Sequence, residues 1–201
     1  MSAGQIRQII EAVEAAYKPL FLTVALTGLR LGEILALRWR DVDVDRGKLS
    51  VRHNLWRQKL VRPKTEASIR ELHLPRVLTD VLRAHKQESR WSADEDFIFA
   101  RMDGMPYDPD SLRRTVLYPA LDACKIERSS REHGFHIFRH TAGSIVHAHS
   151  RDLKLTQELL GHTRISTTSD IYVHVDEKVA QEATEILARE ITGELGSERV
   201  Q

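Results

Sequence analysis

Two arginines, one lysine, two histidines and one tyrosine stand in this 201-residue chain where their types and spacing could do chemistry. Arg30 lies between two apolar helical stretches, in "ALTGLRLGE". Glu33 follows three residues later, on the same helix face, and can fix the arginine's fork. A surface ion pair would account for the same two residues. In "HGFHIFRHTAGS", His136 and Arg139 are one helical turn apart, so both can point into one site, while His140 faces elsewhere. A polar helix N-terminus would explain them equally well. His162 follows Gly161 at an expected helix end, where its charge also suits the helix dipole. Lys64 falls in a connection between strands, and Tyr172 in a short helical stretch. Taken singly, these would be a solvated lysine and a half-buried ring.

Taken as a set, they suit a phosphodiester attacked by a tyrosine. In-line attack makes phosphorus five-coordinate and adds negative charge to its non-bridging oxygens. Two arginines can clamp those oxygens bidentately and stay charged at any working pH. A phenol, with a pKa near about 10, is a poor nucleophile while protonated. Nearby cations favour the phenolate, and a histidine can take the proton. The departing 5′ oxygen needs a proton, which a lysine can deliver. No Gly-rich nucleotide loop is present. His136 and His140 have the spacing of a zinc helix, but the glutamate of H-E-x-x-H is missing. With a single cysteine to help, neither a metal nor another cofactor is expected.

Composition is compatible with that chemistry. Hydrophobic residues make up 41% and charged ones 29%, a soluble globular balance. The net charge of +1 neither favours nor excludes nucleic acid, because clustering matters more than the sum. No apolar run is long enough to span a membrane, and no signal peptide is visible. Cys124 has no partner for a disulfide, so a reducing cytoplasm is the expected setting.

The elements that must position these groups follow from periodicity. Ile6, Ile9, Ile10, Val13 and Tyr17 predict an amphipathic helix, and Pro19 starts a second one. "FLTVALTGLRLGEILALRW" reads as two helices broken at Gly28. "DVDVDRGKLSVRHNL" alternates around an Asp45-Arg46-Gly47 turn, and "IRELHLP" supplies a third strand, with Pro63 and Lys64 in the connection. Helical spacing returns from Arg76 to Trp91, and a helix capped by Asp108 or Asp110 runs to about Leu121, kinked by Pro119. Further helices are expected at 138–148, 152–160, 166–173 and 176–191. The fold class is therefore mostly α with a small three-stranded antiparallel sheet (α+β).

The ordered motifs "TGLRLGE", "PKTEASIRELHLP", "HIFRHTAGS" and "LGHTRISTTSDIYVHV" resemble the tyrosine recombinases, the phage-integrase family. The resemblance implies that residues 1–201 are that family's catalytic domain, with the helical N-terminal core-binding domain absent from this chain. It implies a site-specific recombinase that cuts and rejoins double-stranded DNA through a 3′-phosphotyrosyl intermediate, for integration or excision of a mobile element. It assigns catalytic roles to Arg30, Lys64, His136, Arg139, His162 and the nucleophile Tyr172, with Glu33 in support. Lys64 would protonate the leaving 5′ hydroxyl, and His162 would bind the scissile phosphate. The resemblance implies work without ATP or metal, as a homotetramer on synapsed DNA and a monomer without DNA, with accessory DNA-bending or directionality proteins as candidate partners. A cytoplasmic location, nucleoid-associated or phage-encoded, follows. A type IB topoisomerase shares the chemistry, and a decayed DNA-binding remnant would share the fold.

A further departure stands out. "VHAHSRDLK" lacks the glycine-containing turn expected between those helices, and Ser150 occupies that place. After Tyr172, Val179, Ala183, Ile186, Leu187 and Ile191 form one apolar helical stripe, which either packs on its own domain or docks on a neighbouring protomer.

Overall fold

A computed structural model describes residues 1–61, 70–127 and 134–161. The chain opens with α1 (Ala3–Ala12), whose start is fixed by a capping box. The Ser2 hydroxyl accepts from the Gln5 N–H at 3.2 Å, and the Gln5 side chain accepts from the Ser2 N–H at 2.8 Å. Ile6 and Ile9 are buried, as their spacing predicts. The helix ends earlier than Tyr17, however. Val13 is extended, and a single 3₁₀ turn over Ala15–Tyr17 leads into α2.

Helix α2 (Lys18–Thr27) is apolar on nearly every side because it is central; it packs on α1 and on the helices over Arg76–Glu88 and His136–Ser150. Its buried threonines return their hydroxyls to the backbone, Thr23 to Pro19 O at 2.8 Å and Thr27 to Thr23 O at 2.6 Å. Gly28 ends it with φ +62°, a left-handed C-cap that L-residues take at a cost. A Cβ there would also stand 3.0 Å from Leu160 Cδ2. After Arg30 the short helix α3 (Leu31–Leu35) buries Glu33, Ile34 and Leu35.

Three antiparallel strands form the expected sheet, in the order β1 (Val42–Asp43), β2 (Lys48–Val51), β5 (Arg70–His73). Leu49 lies opposite Leu72, and both are buried. The β1–β2 turn is tied by the Asp43 carboxylate, which accepts from the N–H groups of Asp45 and Arg46 at 3.1 and 2.9 Å. The second strand does not run through to Leu55, as alternation suggested. The ladder stops at Val51, and a separate hairpin follows, β3 (Asn54–Trp56) with β4 (Lys59–Val61). Its turn residues, Arg57 and Gln58, both have positive φ. No glycine or asparagine announces them, so the hairpin had no turn signal in the sequence.

Helix α4 (Arg76–Glu88) buries Leu78 and Leu82 and stops three residues before Trp91. Asp108, not Asp110, caps the next helical run, accepting from the Ser111 N–H at 2.8 Å. That run is α5 (Pro109–Leu112), a π-helical turn over Arg113–Leu117, and α6 (Tyr118–Ala123). The wide turn lies just ahead of Pro119, whose ring cannot donate to the helical ladder.

Helix α7 (His136–Ser150) begins two residues earlier than its apolar pattern suggested, so His136 and Arg139 both lie in its first turns. Helix α8 (Leu153–Leu160) is capped by Asp152, which accepts from the N–H groups of Lys154 and Leu155 at 2.7 and 3.0 Å. Between them Ser150 is still helical. Arg151, with φ +52°, takes the left-handed place for which a glycine was expected. Beneath the start of α7, Phe21 of α2 meets Phe135 at 5.2 Å and Phe138 edge-on at 5.7 Å between ring centres. Lys64, His162, Tyr172 and the helices expected at 166–173 and 176–191 lie outside the described residues.

Phe21 is fully buried, so Phe21→Ala leaves a cavity under α7. Urea unfolding should show a loss of about 3–5 kcal/mol. Met102→Ala, at a side chain 82% exposed, should stay within about 0.5 kcal/mol of the parent.

Candidate active site

The site begins where α2 stops. Gly28 turns the chain, and Arg30 sits in extended conformation just ahead of α3. Glu33, in the first turn of α3, reaches back: its Oε2 accepts from the Arg30 N–H at 2.9 Å and its Oε1 from Arg30 Nη1 at 3.2 Å. The first bond satisfies an N–H that the start of a helix leaves without an intrahelical partner. The expected Arg30–Glu33 pair therefore exists, and it is more than a surface pair. The glutamate side chain is 10% exposed, while the arginine remains 43% exposed and available to solvent.

Glu33 has a second partner that sequence reasoning missed. Arg70, from β5, places Nη1 at 3.3 Å from Oε1 and Nη2 at 3.1 Å from Oε2. A signal for it was present. Arg70, Leu72 and Leu74 share the inward face of an alternating strand, and an arginine in that phase needs a buried anion. Burial pushes the Glu33 carboxyl up. The hydrogen bonds and charge of Arg70, with those of Arg30, outweigh it and hold the group below its ordinary value.

Arg139 is only 5% exposed. Its Nη1 donates to the carbonyl of Gly28 at 2.8 Å and its Nη2 to that of Leu160 at 2.5 Å. Both acceptors lie at helix C-termini, of α2 and α8, where the dipole favours a cation. One side chain of α7 thus ties the turn that carries Arg30 to the helix end that precedes His162. His136, one helical turn before Arg139, is solvent-accessible on one side. Partial burial lowers its pKa, and the charges of Arg139, His140 and Arg30 lower it further. Both effects favour the neutral imidazole, the form that can accept a proton.

Arg30, Glu33, His136 and Arg139 are thus brought to one place by α2, α3 and α7. A model described as the phage integrase family matches residues 1–178. The chain belongs to that family. It is 30% identical to a tyrosine recombinase XerC-like protein of Caldanaerobacter subterraneus subsp. tengcongensis, over 92% of this chain and 53% of that relative. It is 32% identical to tyrosine recombinase XerC of Xanthomonas campestris pv. campestris, over 75% of this chain and 41% of the relative. The chain therefore spans about half the length of the curated relatives it matches. In fold it is similar to the Tn1549 transposon integrase solved in complex with a circular intermediate DNA. That likeness has a TM-score of 0.80 at 17% identity, over 93% of this chain and 65% of that one. The fold is that of a tyrosine recombinase catalytic domain, as the motifs implied.

The carboxylate at the centre of the site sets an acid dependence. Its pKa is depressed below the ordinary 4.5 in the folded protein. Its contribution is then fully present above that pH and disappears as pH falls through the lower folded value. Urea unfolding across acidic pH should find the parent more stable than Glu33→Gln above about 4.5, with the gap closing below it.

Proposed function

We propose that the chain is the catalytic part of a site-specific DNA recombinase that cleaves and rejoins double-stranded DNA for integration or excision of a mobile element. One observation carries this: Arg139 pins the Arg30 turn and the end of α8 together, one helical turn from His136. Family membership supports it independently.

In this reading the Oη of Tyr172 attacks the scissile phosphorus in line. A phosphorus–oxygen bond forms to the phenol, whose proton passes to His136. The bond to the 5′ oxygen breaks, and Lys64 protonates that oxygen. The products are a 3′-phosphotyrosyl enzyme and a free 5′ hydroxyl. Attack by a 5′ hydroxyl from the other duplex reverses the step and seals the exchanged strand. Arg30, Arg139 and His162 hold the phosphate and meet the added charge of the transition state. The covalent bond conserves the phosphodiester energy, so no ATP is spent. We propose a homotetramer on two synapsed duplexes as the working assembly, with accessory DNA-bending or directionality proteins as further partners. Cytoplasmic residence fits the reducing setting expected for Cys124. No helix among the described residues is long and apolar enough to cross a membrane.

A DNA duplex nicked next to the cleavage site traps the covalent adduct. The parent protein should form it, and Tyr172→Phe should form none while retaining DNA binding. An adduct with the Phe variant would remove Tyr172 from the nucleophile's role.

Lys64→Ala should slow cleavage by about 10²–10⁴-fold, the usual scale for a general acid. On a substrate whose leaving 5′ oxygen is replaced by sulfur the deficit should largely vanish, because a thiolate leaves without a proton. Equal slowing on both substrates would exclude the lysine as the acid.

A further inference from the structure

Arg70 has no role in the reaction as proposed so far, yet it touches both halves of the site. Its side chain is 11% exposed, so its charge must be met locally. The Glu33 carboxylate meets it with one oxygen per η nitrogen, a bidentate arrangement. Nη2 also stands 3.4 Å from the carbonyl of Leu160, the acceptor shared with Arg139. The guanidinium lies against the backbone of Gly161. A Cβ on that residue would stand 2.5 Å from Arg70 Cζ and 2.7 Å from Nε. Gly161 has φ +63°, so glycine suits the position twice over. Arg70 therefore contacts Glu33, which holds Arg30, and the Leu160–Gly161 turn, from which His162 follows.

The charges suggest what this does. Glu33 is one anion between two guanidinium groups. Arg70 engages both carboxylate oxygens, while Arg30 gives only one η nitrogen and stays 43% exposed. Without Arg70 the whole carboxylate charge would fall on Arg30. Being exposed, Arg30 can swing to meet it with both η nitrogens, which takes them away from a phosphate.

We infer that Arg70 is a positioning residue for strand cleavage: it neutralises Glu33 so that Arg30 remains free to clamp the scissile phosphate, and it seats the turn ahead of His162. The inference rests on the reaction proposed above. Its effect belongs to the transition state, where charge on the phosphate peaks. DNA affinity, spread over many backbone contacts, changes little.

The test uses the full chain on the nicked trapping duplex, with adduct formation measured at saturating protein and affinity measured on the same DNA. Arg70→Met should slow adduct formation by about ten- to a hundredfold, the scale of one misplaced charge contact, with little change in Kd. Arg70→Lys, which keeps charge but loses the fork, should recover part of the rate. In a Glu33→Gln background Arg70→Met should cost far less, because no anion remains to recapture Arg30. An undiminished cost in that background, or rate and affinity falling together, would overturn the assignment. Should Arg70→Met not fold, Arg70→Lys decides alone: slower cleavage at unchanged affinity supports the role, and an unchanged rate refutes it. A parent protein that forms no adduct overturns the strand-transfer reaction and this role with it. A parent that reacts, with Arg70 variants that react equally fast, overturns only Arg70.

Discussion

A guanidinium cannot shed its proton, so burying one obliges the fold to supply acceptors around it. Arg139 is the residue on which the rest of this site depends. Its η nitrogens take the carbonyls of Gly28 and Leu160, the ends of two helices that are far apart in the chain. The aligned peptide dipoles of α2 and α8 place partial negative charge where the cation sits. Both helix ends are then committed to one position. Arg30 lies two residues beyond the first carbonyl, and His162 two residues beyond the second. Leu160 packs against Gly28 from the apolar side, so the contact has a hydrophobic face as well as a polar one.

The base on which Arg139 stands is rigid for a simple reason. Phe135 and Phe138 flank the start of α7 and both pack on Phe21 of α2. Large rings with few rotamers leave that helix little freedom to slide. The sheet supplies the third anchor. β5 is hydrogen-bonded to β2 along its length, which fixes the height at which Arg70 enters. The start of α3 and the strand thus meet at Glu33, whose carboxylate accepts three hydrogen bonds from the guanidinium groups of Arg30 and Arg70 and one from the Arg30 N–H.

Much of this was legible beforehand, because residue type and spacing carry it. Ile6 and Ile9 disclosed α1, Gly28 the break after α2, and the Asp45-Arg46-Gly47 turn the first hairpin. Arg30, Glu33, His136 and Arg139 stood out because charged side chains in apolar helical surroundings need a reason. What was missed lacked such marks. The β3–β4 hairpin turns on Arg57 and Gln58, residues that seldom adopt positive φ. The acceptors of Arg139 are backbone carbonyls, which every residue has. Arg70 was discernible only by fixing the phase of β5, since an arginine in "IRELHLP" is unremarkable until it is known to face inward. Lys64, His162 and Tyr172 rest on the motifs alone.

The charge balance of the site bears on how it would act. Arg30 and Arg70 share the Glu33 carboxylate, and Arg139 adds a third permanent positive charge held by the Gly28 and Leu160 carbonyls. Partial burial first, then the charges of Arg139, His140 and Arg30, lower the pKa of His136 and favour its neutral form. The positive field that would favour a phosphodiester in the proposed reaction therefore adds to burial in favouring the unprotonated imidazole. In the proposed reaction the arriving phosphate offsets part of that positive field and raises the histidine's affinity for a proton. Its basicity would then rise as the tyrosine comes within reach of its target. Binding and proton acceptance would be coupled through electrostatics alone, without any movement of the backbone that Arg139 holds in place.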